Sequence, residues 1–405
     1  MADAPLHILF FTDHFPPEPS APAAHIWDRA RIWARDGHRV TIVASHPNAP
    51  IGQVYDGYRN VWRSIEDLDG VRVVRVKTLI APNSARSIVR FLDYISYFLS
   101  ALLQALREPK PQVVISSSPH IFVPLAGVMY SMIRRVPHVF EIRDLWPATI
   151  AAVTSLGRGF GYRMLERLEL WMYARSRRLI PFTRSFVEDM TSRGVPADKI
   201  DLVYNGANLD LFSPVTSKDP ALTAELGLEG KVVFGFLGTL GLAQDLSKVL
   251  DAAALIEHPD VHVLFVGASA EEEKLRQRVL DEGLTNVTFG GRQEKKDMPR
   301  YWSLCDVSLI HLKDDPLFRT VIPSKIFESM AVGLPMLFVA PEGSEGGEIV
   351  ETHEVGLVVP SGDVPALATA MERMAGDPGL RRAMGAASAR PGGRGSIPVR
   401  PARPR

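Results

Sequence analysis

A single cysteine, Cys305, stands in the 405 residues of this chain. That excludes a disulfide framework and a Cys-rich metal site, and it fits a reducing cytoplasm. An excess of one charge is also lacking, with 46 Lys and Arg against 46 Asp and Glu. Nothing in that balance points to nucleic acid. No apolar run reaches membrane-spanning length without charges. The start, Met1-Ala2-Asp3-Ala4-Pro5, has no basic n-region and no long apolar stretch, so no secretory signal is expected there. No Gly-x-Gly-x-x-Gly follows the first apolar run. Phe11-Thr12-Asp13-His14-Phe15-Pro16-Pro17-Glu18 stands there instead, which argues against an NAD or FAD enzyme. No internal repeat of short period is found.

What the chain has is strand–helix alternation from end to end, the pattern of an α/β protein with parallel sheets. Strands are expected at 6–12, 40–44, 71–76, 112–116, 138–142, 178–182 and 199–204. Phe212 to Pro220 reads as a linker. A second series is expected at 232–237, 262–266, 287–289, 307–311, 336–339 and 356–359. Two Rossmann-like halves bind ligands at the C-terminal ends of their strands.

The most informative stretch is Ile322-Pro323-Ser324-Lys325-Ile326-Phe327-Glu328-Ser329-Met330-Ala331-Val332-Gly333-Leu334-Pro335. Pro323 and Ser324 make a loop that opens a helix, with Ser324 as a cap. Lys325 falls in the first turn, where a cation opposes the helix dipole. An anion such as a phosphate in front of the loop accounts for it. Glu328 lies one turn on, and an ordinary surface ion pair between the two is the alternative. Gly333 ends the helix and Pro335 blocks its continuation.

Other loops follow strand ends. Gly238, Thr239, Leu240 and Gly241 lead toward a helix expected from Asp245, and backbone N–H groups there can hold a phosphate. Arg292 follows another strand, facing either ligand or solvent. Glu348 falls in the first turn of a helix after the glycines 343, 346 and 347. In the first half, the Pro-rich loop 13–22 carries His14 and Glu18 as its titratable side chains. Ser118 or Pro119 can open a helix beside His120. Glu141, Arg143 and Asp144 crowd one strand end, where an internal ion pair is the plain explanation.

These strings together resemble retaining glycosyltransferases of family 4, which have the GT-B fold. Lys325 and Glu328 before Gly333-Leu334-Pro335 match the donor site. Glu328 takes the place of the second Glu of that family's Glu-x7-Glu motif, and Thr320 stands where the first belongs. Phe140-Glu141-Ile142-Arg143-Asp144-Leu145-Trp146-Pro147 and Phe15-Pro16-Pro17-Glu18 resemble the subfamily that builds bacterial surface polysaccharides on lipid-linked N-acetylhexosamines. The family has Arg and Lys where this chain has Thr239 and Gln244.

The resemblance implies a GT-B α/β fold with two Rossmann-like parallel-sheet domains facing a cleft. Residues 1–210 would bind the acceptor and 211–387 the nucleotide sugar. His120, Lys325 and Glu328 would be catalytic. Gly238, Thr239, Leu240, Gly241, Arg292, Lys325, Glu328 and Glu348 would bind the donor, and Glu18, Arg143 and Asp144 the acceptor. It implies a UDP-sugar donor, a lipid-linked saccharide acceptor, retention of configuration, and no cofactor or metal. No Asp-x-Asp pair stands beside the donor loop, and Asp314-Asp315 reads as loop. The expected location is cytoplasmic, peripheral at the inner leaflet of the cytoplasmic membrane. The alternatives are a UDP-sugar 2-epimerase-like enzyme and a catalytically impaired nucleotide-sugar-binding protein.

Two further expectations concern surfaces. Ser87 to Leu106 is an apolar helix flanked by Arg86, Arg90 and Arg107. It is a core helix or one that docks at a membrane interface, and the basic-aromatic helix 162–178 adds a second such surface. From Ser388 the apolar pattern stops, and 388–405 is expected to be a disordered basic tail where family members continue into a returning helix.

Overall fold

The computed structural model describes residues 4–49, 52–81, 87–118, 120–145, 159–269 and 271–390. The chain divides into two compact units, Met1–Val203 and Tyr204–Arg405. That division falls a few residues before the expected boundary at 210.

The first unit holds β1 (His7–Phe11), β2 (Arg39–Ser45), β3 (Arg63–Leu68), β4 (Val71–Val76), β5 (Val113–Ser117), β6 (His138–Ile142) and β7 (Arg178–Pro181). Their order is β3-β4-β2-β1-β5-β6-β7, parallel except for β3 against β4. Around them lie α1 (Ala21–Arg35), α2 (Ser87–Ala105), α3 (Phe122–Arg134), α4 (Phe160–Arg175) and α5 (Arg184–Ser192). β1 is buried at all five positions, as a central parallel strand covered on both faces should be. The order reverses between β1 and β5, so their C-terminal ends open a crevice in the sheet edge.

The second unit holds β8 (Val232–Leu237), β9 (Val261–Val266), β10 (Val287–Gly291), β11 (Val307–His311), β12 (Met336–Ala340) and β13 (Gly356–Pro360), in the order β10-β9-β8-β11-β12-β13. All its pairings are parallel. Its helices are α6 (Pro220–Glu225), α7 (Ser247–Leu255), α8 (Glu272–Asp281), α9 (Met298–Leu304), α10 (Ser324–Val332), α11 (Glu345–Thr352), α12 (Val364–Gly376) and α13 (Pro378–Ser388). Here the order reverses between β8 and β11.

Several expectations are corrected. β3 was not expected, because its polar sequence lacks a core pattern. It is an edge strand, joined to β4 through Asp69 and Gly70, both at positive φ (48° and 81°). An Asp-Gly pair is the standard signal of a tight hairpin. Residues 199–204 form no strand. Asp201 and Val203 donate to the Leu179 and Pro181 carbonyls (2.9 and 3.1 Å), but Pro181 has no N–H to return. The stretch 212–220 is no free linker. Phe212 is buried, Val215 donates to the Val332 carbonyl (2.9 Å), and Asp219 caps α6. Ser388 belongs to α13, fully buried, with its hydroxyl on the Leu334 carbonyl (2.9 Å). The expected tail from 391 on lies outside the described residues, as do Arg86, Pro119, Trp146 and Pro147.

Candidate active site

In the second unit the strand ends β8, β9 and β10 are tied edge to edge. Gly238 donates to the Val266 carbonyl (2.7 Å) and Gly267 to the Gly291 carbonyl (2.8 Å). Gly238 has φ +141°, and a Cβ there would lie 2.7 Å from the Lys325 Nζ. The positive φ favours glycine here, and its missing side chain leaves the space that the end of Lys325 occupies. The Lys325 ammonium lies 4.7 Å from the centre of the Phe236 ring. Among the described residues no carboxylate closes an ion pair with it, so the alternative of a surface pair with Glu328 is not formed. Burial pushes the Lys325 ammonium below its usual range, with Glu328 opposing. Burial likewise pushes the Glu328 carboxyl up, opposed by Lys325 and Lys295. Two opposite charges one turn apart are thus both desolvated and not in contact.

Backbone donors occur in the segments on either side of this contact, the start of α10 and the loop after Gly238. Pro323 is the N-cap of α10 and makes no side-chain cap bond. Ser324 therefore stands one position inside the helix rather than capping it. Among the described residues, the N–H groups of Thr239 and Leu240 meet no acceptor, whereas that of Gly241 is taken by Gln244 Oε1 (3.2 Å). Leu240 contributes only its backbone, since its side chain is in the core. Below the loop, Lys313 N–H holds the Ala243 carbonyl (3.0 Å) and His311 Nδ1 meets the Gln244 carbonyl (2.7 Å). The helix expected from Asp245 begins at Ser247, because Asp245 takes φ +42°.

Arg292 is exposed at the end of β10. Glu348 is also exposed and lines a cavity of about 180 Å³ with Glu342 and Glu351. The buried carboxylate of α11 is Glu345, which accepts from the Tyr204 hydroxyl (3.1 Å). Gly346 packs α11 onto Ile326 of α10; a Cβ there would meet Ile326 at 3.2 Å. Reasoning from sequence favoured Glu348 on its position in the first turn. The Gly346-Gly347 pair behind Glu345 was the signal for tight packing. Thr320 closes a 3₁₀ turn and donates to the Leu317 carbonyl (3.1 Å).

In the first unit the ends of β1, β5 and β6 converge. His120 is buried after β5, with Nε2 3.3 Å from Asp13 Oδ2. Tyr94 of α2 stacks on its ring (4.2 Å) and Tyr97 meets it edge-on (5.8 Å). Asp13, beside His14, was missed, although it is a titratable residue at a strand end. Glu18, expected at the acceptor, clamps its own loop. Its Oε1 accepts from the Asn48 and Ala49 N–H groups (both 2.8 Å), and its Oε2 meets His14 Nδ1 (3.0 Å) and Phe15 N–H (3.3 Å). Both oxygens are committed to the protein itself.

The plain ion pair for Arg143 is not formed. Glu141 is taken instead by Arg29 in a two-pronged contact. Arg143 Nε donates to Ser117 Oγ (2.9 Å), its guanidinium lies 4.6 Å from the Phe182 ring, and its buried Nη2 has no partner among the described residues. Burial pushes Arg143 down to about 10, although Glu141 opposes it. The Arg143 and Asp144 N–H groups share Ser118 Oγ (2.8 and 3.3 Å). Burial raises Asp144, with Arg143 opposing. An unpartnered buried guanidinium nitrogen at a strand end suits an anionic or hydroxylated ligand.

Comparison with known proteins agrees with this layout. The family described as glycosyl transferase 4-like domain matches residues 20–206, and that of glycosyl transferases group 1 matches 219–390. WbjE of Pseudomonas aeruginosa, named as a glycosyltransferase, is 25% identical over 58% of this chain and 59% of its own length. WcaI of Escherichia coli K12, named for colanic acid biosynthesis, is 23% identical over 86% of each chain. Among solved structures, Anabaena HepE in complex with UDP superposes with a TM-score of 0.68, at 17% identity, over 95% of this chain and 93% of that one. The expected fold is thereby borne out. The chain belongs to the glycosyltransferases of the GT-B fold, with a family 4-like first domain and a group 1 second domain.

Proposed function

We propose that this glycosyltransferase moves a sugar, of the N-acetylhexosamine class, from a UDP-sugar to a lipid-linked saccharide in surface polysaccharide assembly. One observation carries the donor half. Among the described residues, the Lys325 ammonium has no ion-pair partner where it crosses the Gly238 strand end, and the N–H groups of Thr239 and Leu240 that follow Gly238 meet no acceptor. A diphosphate supplies the missing charge. As the sugar leaves, charge grows on that diphosphate, and these fixed donors stabilise it without a metal. Glu328 accepts the ribose hydroxyls. Retention of configuration follows the family resemblance.

Arg143 carries the acceptor half. Its unpartnered Nη2 takes an acceptor phosphate oxygen or sugar hydroxyl, and His120 contacts sugar. Support for UDP and for polysaccharide comes from the UDP complex of HepE and from the naming of WcaI for colanic acid biosynthesis. The test is a panel of UDP- and GDP-sugars incubated with undecaprenyl-diphosphate-linked N-acetylhexosamine. A UDP-sugar should give an elongated lipid. Conversion of a UDP-sugar without acceptor would favour the epimerase alternative.

The lipid acceptor places the enzyme at a membrane, and α2 suits that place. Its inner face buries Tyr97, Ala101 and Ala105, while Ile88, Phe91, Leu92, Leu99 and Leu103 are 47–67% exposed. An apolar stripe of this size on a helix bearing Arg90 matches an anionic bilayer interface. The protein should float with phosphatidylglycerol vesicles at low salt. Leu92→Glu with Leu99→Glu should cut the floated fraction by about tenfold, from burial energies of this order. Equal flotation of the double variant would return α2 to a purely structural role.

A further inference from the structure

Three titratable side chains after β1 join His120 in one line. Glu18 Oε2 meets His14 Nδ1 at 3.0 Å, His14 Nε2 lies 3.7 Å from Asp13 Oδ2, and Asp13 Oδ2 lies 3.3 Å from His120 Nε2. The far end of Glu18 is anchored by the Asn48 and Ala49 N–H groups. The far end of the line is His120 Nδ1, buried and without a partner among the described residues. We propose that Glu18, His14 and Asp13 form a fixed relay that sets the tautomer of His120, so that its Nδ1 is an open hydrogen-bond acceptor for a sugar hydroxyl. His14 is the positioning residue of this relay.

The argument is one of polar satisfaction. Asp13 Oδ2 is an acceptor, so the His120 proton belongs on Nε2, which faces it. A proton on Nδ1 would be a buried N–H with no partner. Nδ1 therefore carries a lone pair, and a hydroxyl satisfies it. The Tyr94 stack and the Tyr97 edge hold the ring plane in which that lone pair points. The His14 charge matters because it fixes Asp13 Oδ2, the oxygen that also faces His120 Nε2; Asp13 itself is ionised. Burial works against that, and His14, His120 and Ser45 overcome it, holding Asp13 well below the usual carboxylate range. Burial also opposes the charge on His14, yet Asp13, Glu18 and Asp93 hold it up to about 9.

Among the described residues, the charged and titratable groups that act on the relay come from three elements. Asp93, Tyr94 and Tyr97 come from α2, with Arg90 acting on Tyr94. Ser45 comes from β2. Arg75 comes from β4 and holds the Pro16 carbonyl. Burial, then Asp13, pushes Asp93 up to about 7. As pH rises through 7 Asp93 ionises and supports the His14 charge. Above about 9 that charge is lost and the relay weakens.

Only the naming of a sugar hydroxyl rests on the glycosyltransferase reading. The test is the ¹⁵N spectrum of the histidine-labelled full chain, with His120 assigned from a His120→Asn sample. Wild type should show His120 as a single Nε2–H tautomer. His14→Gln, which keeps hydrogen bonding and removes charge, should show a mixture. In transfer assays it should lower kcat about tenfold, leave the donor KM within threefold, and abolish the alkaline limb near pH 9. An Nδ1–H tautomer in wild type would overturn the relay, whatever the variants do. So would an unchanged spectrum and pH profile in His14→Gln. Absence of sugar transfer with every donor would overturn the functional reading alone, since the spectrum reads the relay without activity.

Discussion

Lys325→Met should lower turnover by about 10²- to 10³-fold, the loss typical of one removed donor to developing charge. It should do so without unfolding the protein. The ammonium is half-buried at the β8 end with no ion-pair partner among the described residues, and burial already depresses its proton affinity. A charge held this way costs stability in the free enzyme. Methionine fills the space over Phe236 without that cost. The variant should therefore melt at or above the wild-type temperature. Loss of activity with a large fall in melting temperature would instead mark Lys325 as structural. Full activity would remove it from the site.

Glu328→Ala should weaken UDP binding by about 2–4 kcal/mol, roughly 30- to 1,000-fold, as expected for a carboxylate that accepts two hydroxyl hydrogen bonds. The effect should vanish with a deoxyribose analogue lacking the contacted hydroxyl. pH sets a second check. Burial raises the Glu328 carboxyl above its usual range, so its ionised form is lost earlier on acidification than that of an exposed Glu. UDP affinity should fall as pH drops through this raised value in wild type, and not in Glu328→Ala. Calorimetry at several pH values measures both. Equal affinities in the two proteins would place the ribose elsewhere.

Much of the fold was legible because central parallel strands are apolar on both faces. β6, β8 and β11 occupy the expected residues. β3 was hidden because an edge strand needs no core pattern, and only Asp69-Gly70 betrayed it. Residues 199–204 misled for the opposite reason, having the strand pattern but facing a proline. In the site, the donor loop and the start of α10 were legible because glycine and proline mark backbone geometry locally. The partners of charged groups were not. That Arg29 rather than Arg143 takes Glu141, and that backbone groups of Asn48 and Ala49 take Glu18, depends on residues distant in sequence. Exposure likewise separated Glu345 from Glu348, two carboxylates that share one helical turn.

The central claim is that the β8–β11 switch point of the second unit holds a nucleoside diphosphate through Lys325 and backbone donors. Calorimetric titration of UDP and of uridine in excess EDTA tests it most directly. UDP should bind without metal at least about 100-fold more tightly than uridine, a preference equivalent to about 2.7 kcal/mol, and Lys325→Met should lose most of it. Equal binding of UDP and uridine, or a preference that Lys325→Met leaves intact, would contradict the account.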